Sequence, residues 1–275
     1  MNKKIMITSL ICRNPGNLIT VMIMLLLTSS MTPAALCQSG GEAVVIMEKS
    51  RDAVMVNSFE AVSLLTITDE NGRTRERRTV TASKSYGDGT EKRIIKFLYP
   101  PEVEGTAMLI YDHDDTEDEM WIYLPAFRKT RRIVSSEKGK SFMGSEFTNS
   151  DITSPPVADF IHTVVDKSAD MDLITIKSIP ATRELEKDYG YAARITTLKL
   201  SDYTAERIEF YGSSNEKLRT IEISDYTTAP GGKFIISSMS VVNHLNGRSS
   251  RLVMSEVVTG SDVSDRLFDL SALGR

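Results

Sequence analysis

Between Ala61 and Val258, short apolar runs with a period of two are broken by turn-forming residues: Asn71-Gly72, Gly87-Asp88-Gly89, Pro100-Pro101, Pro230-Gly231-Gly232 and Asn246-Gly247. A period of two puts successive side chains on opposite faces of a strand, and Asn-Gly between two such runs supplies the positive-φ residues of a hairpin. A chain punctuated in this way pairs neighbour with neighbour, as an antiparallel meander. Strands are predicted through Val62–Ile67, Arg73–Ser83, Ile94–Leu98, Met108–Tyr111 and from Met120, and again through Leu173–Ile176, Arg194–Leu200, Arg207–Tyr211, Leu218–Tyr226, Phe234–Val242 and Leu252–Val258. The run Arg73–Ser83 is so polar and basic that one of its faces must meet water.

Helical spacing is confined to a few segments. Val44, Met47, Ala53, Val54 and Val56 recur with charged residues between them, predicting an amphipathic helix from Gly41 to about Ser58. Val157 to Val165 reads as a short helix, and Pro180 to Asp188 as a polar crossover with a helical turn. No linker-like tract divides the chain. The expected class is mainly β (α+β): about ten to eleven antiparallel strands with two or three covering helices, as an incomplete barrel or a strongly curved sheet. The strands alternate too little toward polar residues for an outer-membrane barrel with an aqueous lumen.

The densest stretch is Met120 to Asp151. It holds the only tryptophan, the basic run Arg128, Lys129, Arg131, Arg132, and a Phe-Met-Gly-Ser loop. Met120, Ile122 and Leu124 alternate with Trp121 and Tyr123, so both faces of that strand are apolar and both need cover: one could meet a core, the other a cavity. The basic run reads either as a solvated strand face or as a dock for an acidic partner or anionic headgroup, since guanidinium groups pair well with phosphate and carboxylate. Phe142-Met143 reads either as a plug over the core or as a lid over a ligand.

Phe97-Leu98-Tyr99-Pro100, Gly105-Thr106-Ala107-Met108-Leu109, Trp121-Ile122-Tyr123-Leu124-Pro125, Arg131-Arg132-Ile133 and Ser141-Phe142-Met143-Gly144-Ser145 together resemble the outer membrane lipoprotein-sorting family, whose members are similar in fold to LolA and LolB. The resemblance spans nearly all of the chain after its first segment. The family loop usually continues Ser-Asp-Phe and then an aromatic-acid pair, whereas this chain has Ser145-Glu146-Phe147 followed by Asn149-Ser150-Asp151. Glu146 keeps the charge; the aromatic is missing. The resemblance implies a bacterial periplasmic carrier that moves lipoproteins or other lipids toward the outer membrane after handover from an inner-membrane transporter of the RND (MMPL-type) or ABC type.

The first segment fits that setting. Lys3, Lys4 and Arg13 precede an apolar run from Leu18 to about Met31, and Ala35-Leu36-Cys37 supplies small residues at two of its positions. This is the layout of a secretory signal peptide cleaved after Cys37, and the run is short for a membrane span. Acylation of Cys37 is the competing reading, against which stands the large Leu36 before it. The expected organisation is therefore a signal peptide at 1–37 and one LolA-like domain at 38–275, located in the periplasm as a monomer. Cleavage takes the formal charge from -4 to about -7 and removes both cysteines, leaving about 238 residues that need no disulfide to hold a core. Modest acidity argues against nucleic acid.

No catalytic constellation stands out. His113, His162 and His244 lack a nucleophile and acid in suitable context, and no nucleotide, hydrolase or zinc motif is present. The acidic run Asp112 to Glu119 lacks the central glycine and closing glutamate of an EF-hand and reads as a solvated hairpin tip. The expectation is a non-enzymatic carrier with no cofactor or metal that holds an acyl chain in an apolar cavity. Phe97, Leu109, Tyr111, Trp121, Tyr123, Phe142 and Met143 are its candidate cavity or lid residues, and Arg128, Lys129, Arg131 and Arg132 its partner or headgroup contacts. The alternative is an accessory module that docks on a transporter and binds no lipid, with the basic strand and Phe142-Met143 as its interface.

Overall fold

Thirteen antiparallel strands form one sheet, in the order β6-β5-β4-β3-β2-β1-β13-β12-β11-β10-β9-β8-β7. The computed structural model describes residues 34–274 except 115 and 169. In chain order the strands are β1 (Ser58–Thr68), β2 (Thr74–Ser85), β3 (Thr90–Tyr99), β4 (Ala107–His113), β5 (Glu119–Leu124), β6 (Lys129–Ile133), β7 (Phe160–Ser168), β8 (Leu173–Pro180), β9 (Ala193–Lys199), β10 (Ala205–Tyr211), β11 (Lys217–Ala229), β12 (Lys233–Asn243) and β13 (Ser249–Thr259). Among the described residues two α-helices accompany them, α1 (Ala34–Ala53) and α2 (Arg183–Tyr189). Residues from Gln38 onward gather as one unit. The segment expected to be a signal peptide lies, up to residue 33, outside the described residues.

The predicted turns carry the meander. Gly72, Gly89 and Gly247 sit at positive φ between β1 and β2, β2 and β3, and β12 and β13, respectively. In the first of these, the Asp69 carboxylate accepts the backbone N–H of Asn71 and of Arg73 and so fixes the loop. Every connection is local except one. The long segment 134–159 joins β6 to β7, the two edge strands.

A flat sheet of thirteen strands would place its edges roughly 55–60 Å apart at the usual spacing. Yet Ile133 on β6 and Phe160 on β7 belong to one apolar cluster, together with Leu65, Ile67, Phe97, Met108 and Met239 from the middle. The sheet is therefore strongly curled, with one inner face shared by both halves. It remains open, because β6 and β7 do not pair with each other.

Two further layers complete the packing. Ala43, Ile46 and Met47 of α1 lie on Ile174 and Ile176 of β8 and Leu198 of β9. On the outer face of β2 to β5, Ala82, Ile94, Ala107 and Leu109 are covered by Val263, Phe268 and Leu273 of the C-terminal segment. α2 is short but well terminated. The Thr182 side chain accepts the Leu185 N–H, Glu184 and Glu186 occupy the first turn, and Gly190 closes the helix at φ 76° with its N–H on Glu186 O.

Three expectations need correction. Among the described residues the strands number thirteen, not ten or eleven. Val157–Val165 is not a helix: only Val157–Asp159 makes a 3₁₀ turn, and Phe160 onward is β7. Its apolar residues do fall at helical spacing, but Ile161, Thr163, Val164 and Val165 are β-branched, and pairing along β8 from Phe160↔Pro180 decides the outcome. The helix expected over Gly41–Ser58 ends at Ala53, so that the chain can turn into β1.

Candidate functional site

The connector between the two edge strands runs inside the curled sheet. It leaves β6 through a 3₁₀ turn at Ser135–Glu137 and passes against the end of α2, where Gly139 donates its N–H to Asp188 O at 2.7 Å. A Cβ at Gly139 would meet the Tyr189 carbonyl oxygen at 2.8 Å, so only glycine fits this crossing. The segment then folds back on itself. Phe142 N–H bonds Phe147 O at 2.8 Å, Ser141 bridges Thr148, and Met143 (φ 51°) and Gly144 (φ 81°) make the reversal. Phe142 and Phe147 are 5% and 0% exposed, and the Phe142 ring lies 6.2 Å from that of Phe97. The loop thus packs its two phenylalanines into the core.

Four polar attachments hold the plug. Asp151 forms a two-pronged pair with Arg219 of β11, at 2.5 and 3.0 Å, and both side chains are less than a tenth exposed. Arg219 in turn lies 3.7 Å over the Phe210 ring. Glu146 takes Arg248 at 3.0 Å and Asn243 at 2.8 Å, while its own N–H bonds Ser250. Arg93 of β3 donates to Ile152 O at 2.7 Å, and Ser154 N–H donates to Asp112 at 2.6 Å. Glu146 thus has its charge paired within the fold.

Between the plug and the inner face lies a cavity of about 150 Å³. One wall is apolar, formed by Ile235, Met239, Leu252 and Met254 of β12 and β13. The other carries Ser63, Thr79, Thr81 and Arg93 of β1, β2 and β3. Phe142, Ile152 and Thr153 of the plug form the roof.

The predicted residues divide sharply. Phe142 lines this cavity, Phe97 packs beneath it, and half-buried Met143 packs against the same core. Leu109, Tyr111, Trp121 and Tyr123 do not face it. They lie on the outer face of β4 and β5, where Leu109 and Trp121 are cross-strand partners, Tyr111 meets Trp121 edge-on at 5.0 Å, and the Tyr111 hydroxyl donates to Phe268 O. The second apolar face of β5 thus receives the C-terminal segment. Arg128, Lys129, Arg131 and Arg132 are all exposed on or beside edge strand β6. Arg131 pairs with Glu137 and Arg132 with Glu119. Ser63, Thr79, Thr81 and Arg93 were not singled out from the sequence. The available signal was the row Thr79, Thr81, Ser83 at a period of two within the polar run of β2.

Among the described residues the acidic run is a solvated tip only at Asp114, Thr116 and Glu117. Asp112 and Asp118 are buried, and Arg51 of α1 reaches both Asp112 at 2.9 Å and Asp114 at 3.0 Å. Burial raises the Asp112 pKa against the pull of Arg51. Burial and the neighbouring Asp112 charge together push Asp118 up to about 7. Among the described residues no group of three acids, histidines or cysteines is placed to hold a metal ion. His162, buried on β7, satisfies both ring nitrogens, with Ser178 Oγ at 2.8 Å and Val157 O at 3.0 Å, and burial lowers its pKa.

Comparison with solved structures places this architecture. It is similar to a domain from Vibrio parahaemolyticus described as an outer membrane lipoprotein-sorting protein (TM-score 0.78, 23% identity, covering 86% of this chain and 100% of that one). It is also similar to a DUF1329 family protein from Desulfovibrio piger (0.76, 22%, 86% and 99%) and to a LolA superfamily protein from Nitrosomonas europaea (0.62, 18%, 83% and 98%). No curated protein matches the chain in sequence. A family model described as an uncharacterized protein matches residues 89–275, more than half of the chain; the protein belongs to that family and has the fold of the outer membrane lipoprotein-sorting and LolA superfamily proteins.

Proposed function

We propose that the protein is a non-enzymatic periplasmic carrier that holds an acyl chain of a lipid or lipoprotein between its curled sheet and the connector, for transfer toward the outer membrane. Residues 1–37 would export it, and an inner-membrane transporter of the RND or ABC type would load it. The observation that carries this reading is the cavity of about 150 Å³ beneath Phe142. Burying each methylene there is worth about 0.8 kcal/mol, so affinity needs no catalytic group. That volume suits a benzene-sized group, so a long chain enters only as the connector yields. The fold shared with a lipoprotein-sorting domain supports the same reading.

The second reading, a module that docks on a transporter without lipid, is favoured by a different surface. Tyr99 and Phe127 are 53% and 69% exposed at the end of the sheet where Gly105 approaches Pro125, beside exposed Arg128 and Lys129. Exposed aromatics with basic neighbours are the composition of interface anchors. Native mass spectrometry of the chain exported to the periplasm and purified without detergent separates the two. A reproducible mass increment matching a phospholipid or acylated peptide supports the carrier and names its cargo. A bare polypeptide that also ignores added lipid refutes the carrier and leaves the docking module.

A further inference from the structure

The inner face of a curled sheet is expected to be apolar, and along one wall of the cavity polar residues stand among Phe59, Leu65 and Ile95. Ser63, Thr79 and Thr81 are buried there, with Ser63 directly opposite Thr79 on the adjacent strand. All three line the cavity, so their hydroxyls stand within reach of whatever occupies it. Arg93 stands beside them, since its cross-strand partner is Ser83, two residues along β2 from Thr81. A guanidinium carries five N–H donors. Among the described residues two nitrogens of this one are engaged, Nη1 by Ile152 O and Nη2 by Glu91, and Nε has no partner. Buried polar groups are normally paired, and an unpaired guanidinium N–H beside three hydroxyls that line the same cavity marks a place where an acceptor belongs.

The surroundings define that acceptor. Glu91 already balances the Arg93 charge at 2.5 Å, so the wall offers donors without a net positive field and suits a neutral acceptor better than a phosphate or carboxylate. The opposite wall of Ile235, Met239, Leu252 and Met254 offers aliphatic contact and no side-chain donor. The volume fits a polar junction with a few carbons on either side, not a whole chain. We infer that the cavity recognises the ester junction of an acyl lipid, with Thr79, Thr81, Ser63 and Arg93 as donors to its carbonyl oxygen and the β12–β13 wall against its first methylenes. This rests on the carrier reading and specifies which part of the cargo is read.

A matched pair of ligands tests it. The full chain, exported and purified from the periplasm, is delipidated and titrated calorimetrically with 1-octanoylglycerol and with 1-octylglycerol ether, which lacks only the carbonyl. The ester should bind at least tenfold more tightly. Thr79→Val with Thr81→Val keeps the β-branched shape and should lower ester affinity at least fivefold while leaving ether affinity unchanged. The infrared band of the bound ester carbonyl should lie at lower frequency in the unaltered protein than in this variant. Ser63→Ala serves in the same way should the double variant not fold. Equal affinity for ester and ether, or a variant that keeps the preference, overturns the inference and leaves the carrier intact. Binding of neither ligand overturns both.

Discussion

The attachment of the plug to the far half of the sheet rests on Asp151 and Arg219, and its strength can be worked out. Both side chains are less than a tenth exposed, the pair is two-pronged, and Asp151 also accepts the Thr148 N–H at 2.7 Å. Asp151→Ala leaves the Arg219 guanidinium buried over Phe210 with no counter-charge. Breaking a buried pair from one side costs about 3–5 kcal/mol, whereas replacing both partners with apolar groups of similar size is often neutral. With an m-value of about 3 kcal/mol/M, the urea midpoint of Asp151→Ala should fall by about 1 M or more. Asp151→Leu combined with Arg219→Met should recover most of that loss, giving a coupling energy of roughly 2–4 kcal/mol in the double-mutant cycle. Hydrogen exchange should rise over residues 139–154 in the single variant before it rises in the strands. A midpoint drop below about 0.3 M, or strictly additive single and double variants, would show that the pair does not hold the plug.

Three further outcomes are expected. Phe142→Ala should cost about 3 kcal/mol, at the lower end for a buried phenylalanine because the space it leaves joins an existing cavity, and should raise the affinity for a small apolar probe; unchanged stability by urea titration would place Phe142 outside the core. Asp118 has its folded pKa at about 7 against an ordinary 3.8, through burial first and the Asp112 charge second, so the folded state holds the extra proton between those values. Stability should therefore fall as pH rises from about 4 through 7, by at most about 4 kcal/mol from this group, and Asp118→Asn should flatten the dependence between pH 5 and 8. Trp121 packs under the C-terminal segment and away from the cavity, so its emission should ignore ligand but shift to the red on Phe268→Ala; a ligand-induced shift in the unaltered chain would contradict this placement.

What the sequence made legible was whatever is decided locally. Asn71-Gly72 and Asn246-Gly247 announce their turns because positive φ is a property of one residue, and most strands follow from a period of two. β7 was lost because Val157, Phe160, Ile161, Val164 and Val165 satisfy a helical period, and only pairing with β8 outweighs it. The cavity residues fared worst, for a different reason. Two apolar faces on β5 show that two covers exist without saying which is protein and which is ligand, and the cover of Trp121 and Tyr123 comes from more than a hundred residues further along the chain. Thr79 and Thr81 look like solvated strand residues until curvature turns their face inward.

The connector from β6 to β7 links these observations. An antiparallel meander of thirteen strands could in principle close by pairing its edges; here the chain between those edges occupies the interior instead, so the sheet curls round its own connection. Such a filling cannot rely on apolar contact alone, since part of what it covers is the polar wall of Thr79, Thr81 and Arg93. The attachments through Glu146, Asp151, Ile152 and Ser154 are accordingly polar, and each reaches a different part of the sheet: β12, β13 and the turn between them through Asn243, Ser250 and Arg248, β11 through Arg219, β3 through Arg93 and β4 through Asp112. On the carrier reading this arrangement allows stepwise opening. Contacts of Glu146, whose partner Arg248 is three times as exposed as Arg219, can exchange with water at lower cost than the Asp151 pair. The Phe142 tip would then lift while Asp151 stays seated, enlarging the cavity from the Glu146 side without unpairing a single strand. Glu146→Gln should accordingly speed ligand exchange with little loss of stability, the reverse of what Asp151→Ala does, and stopped-flow release of a bound fluorescent acyl probe from the two variants would show which end moves.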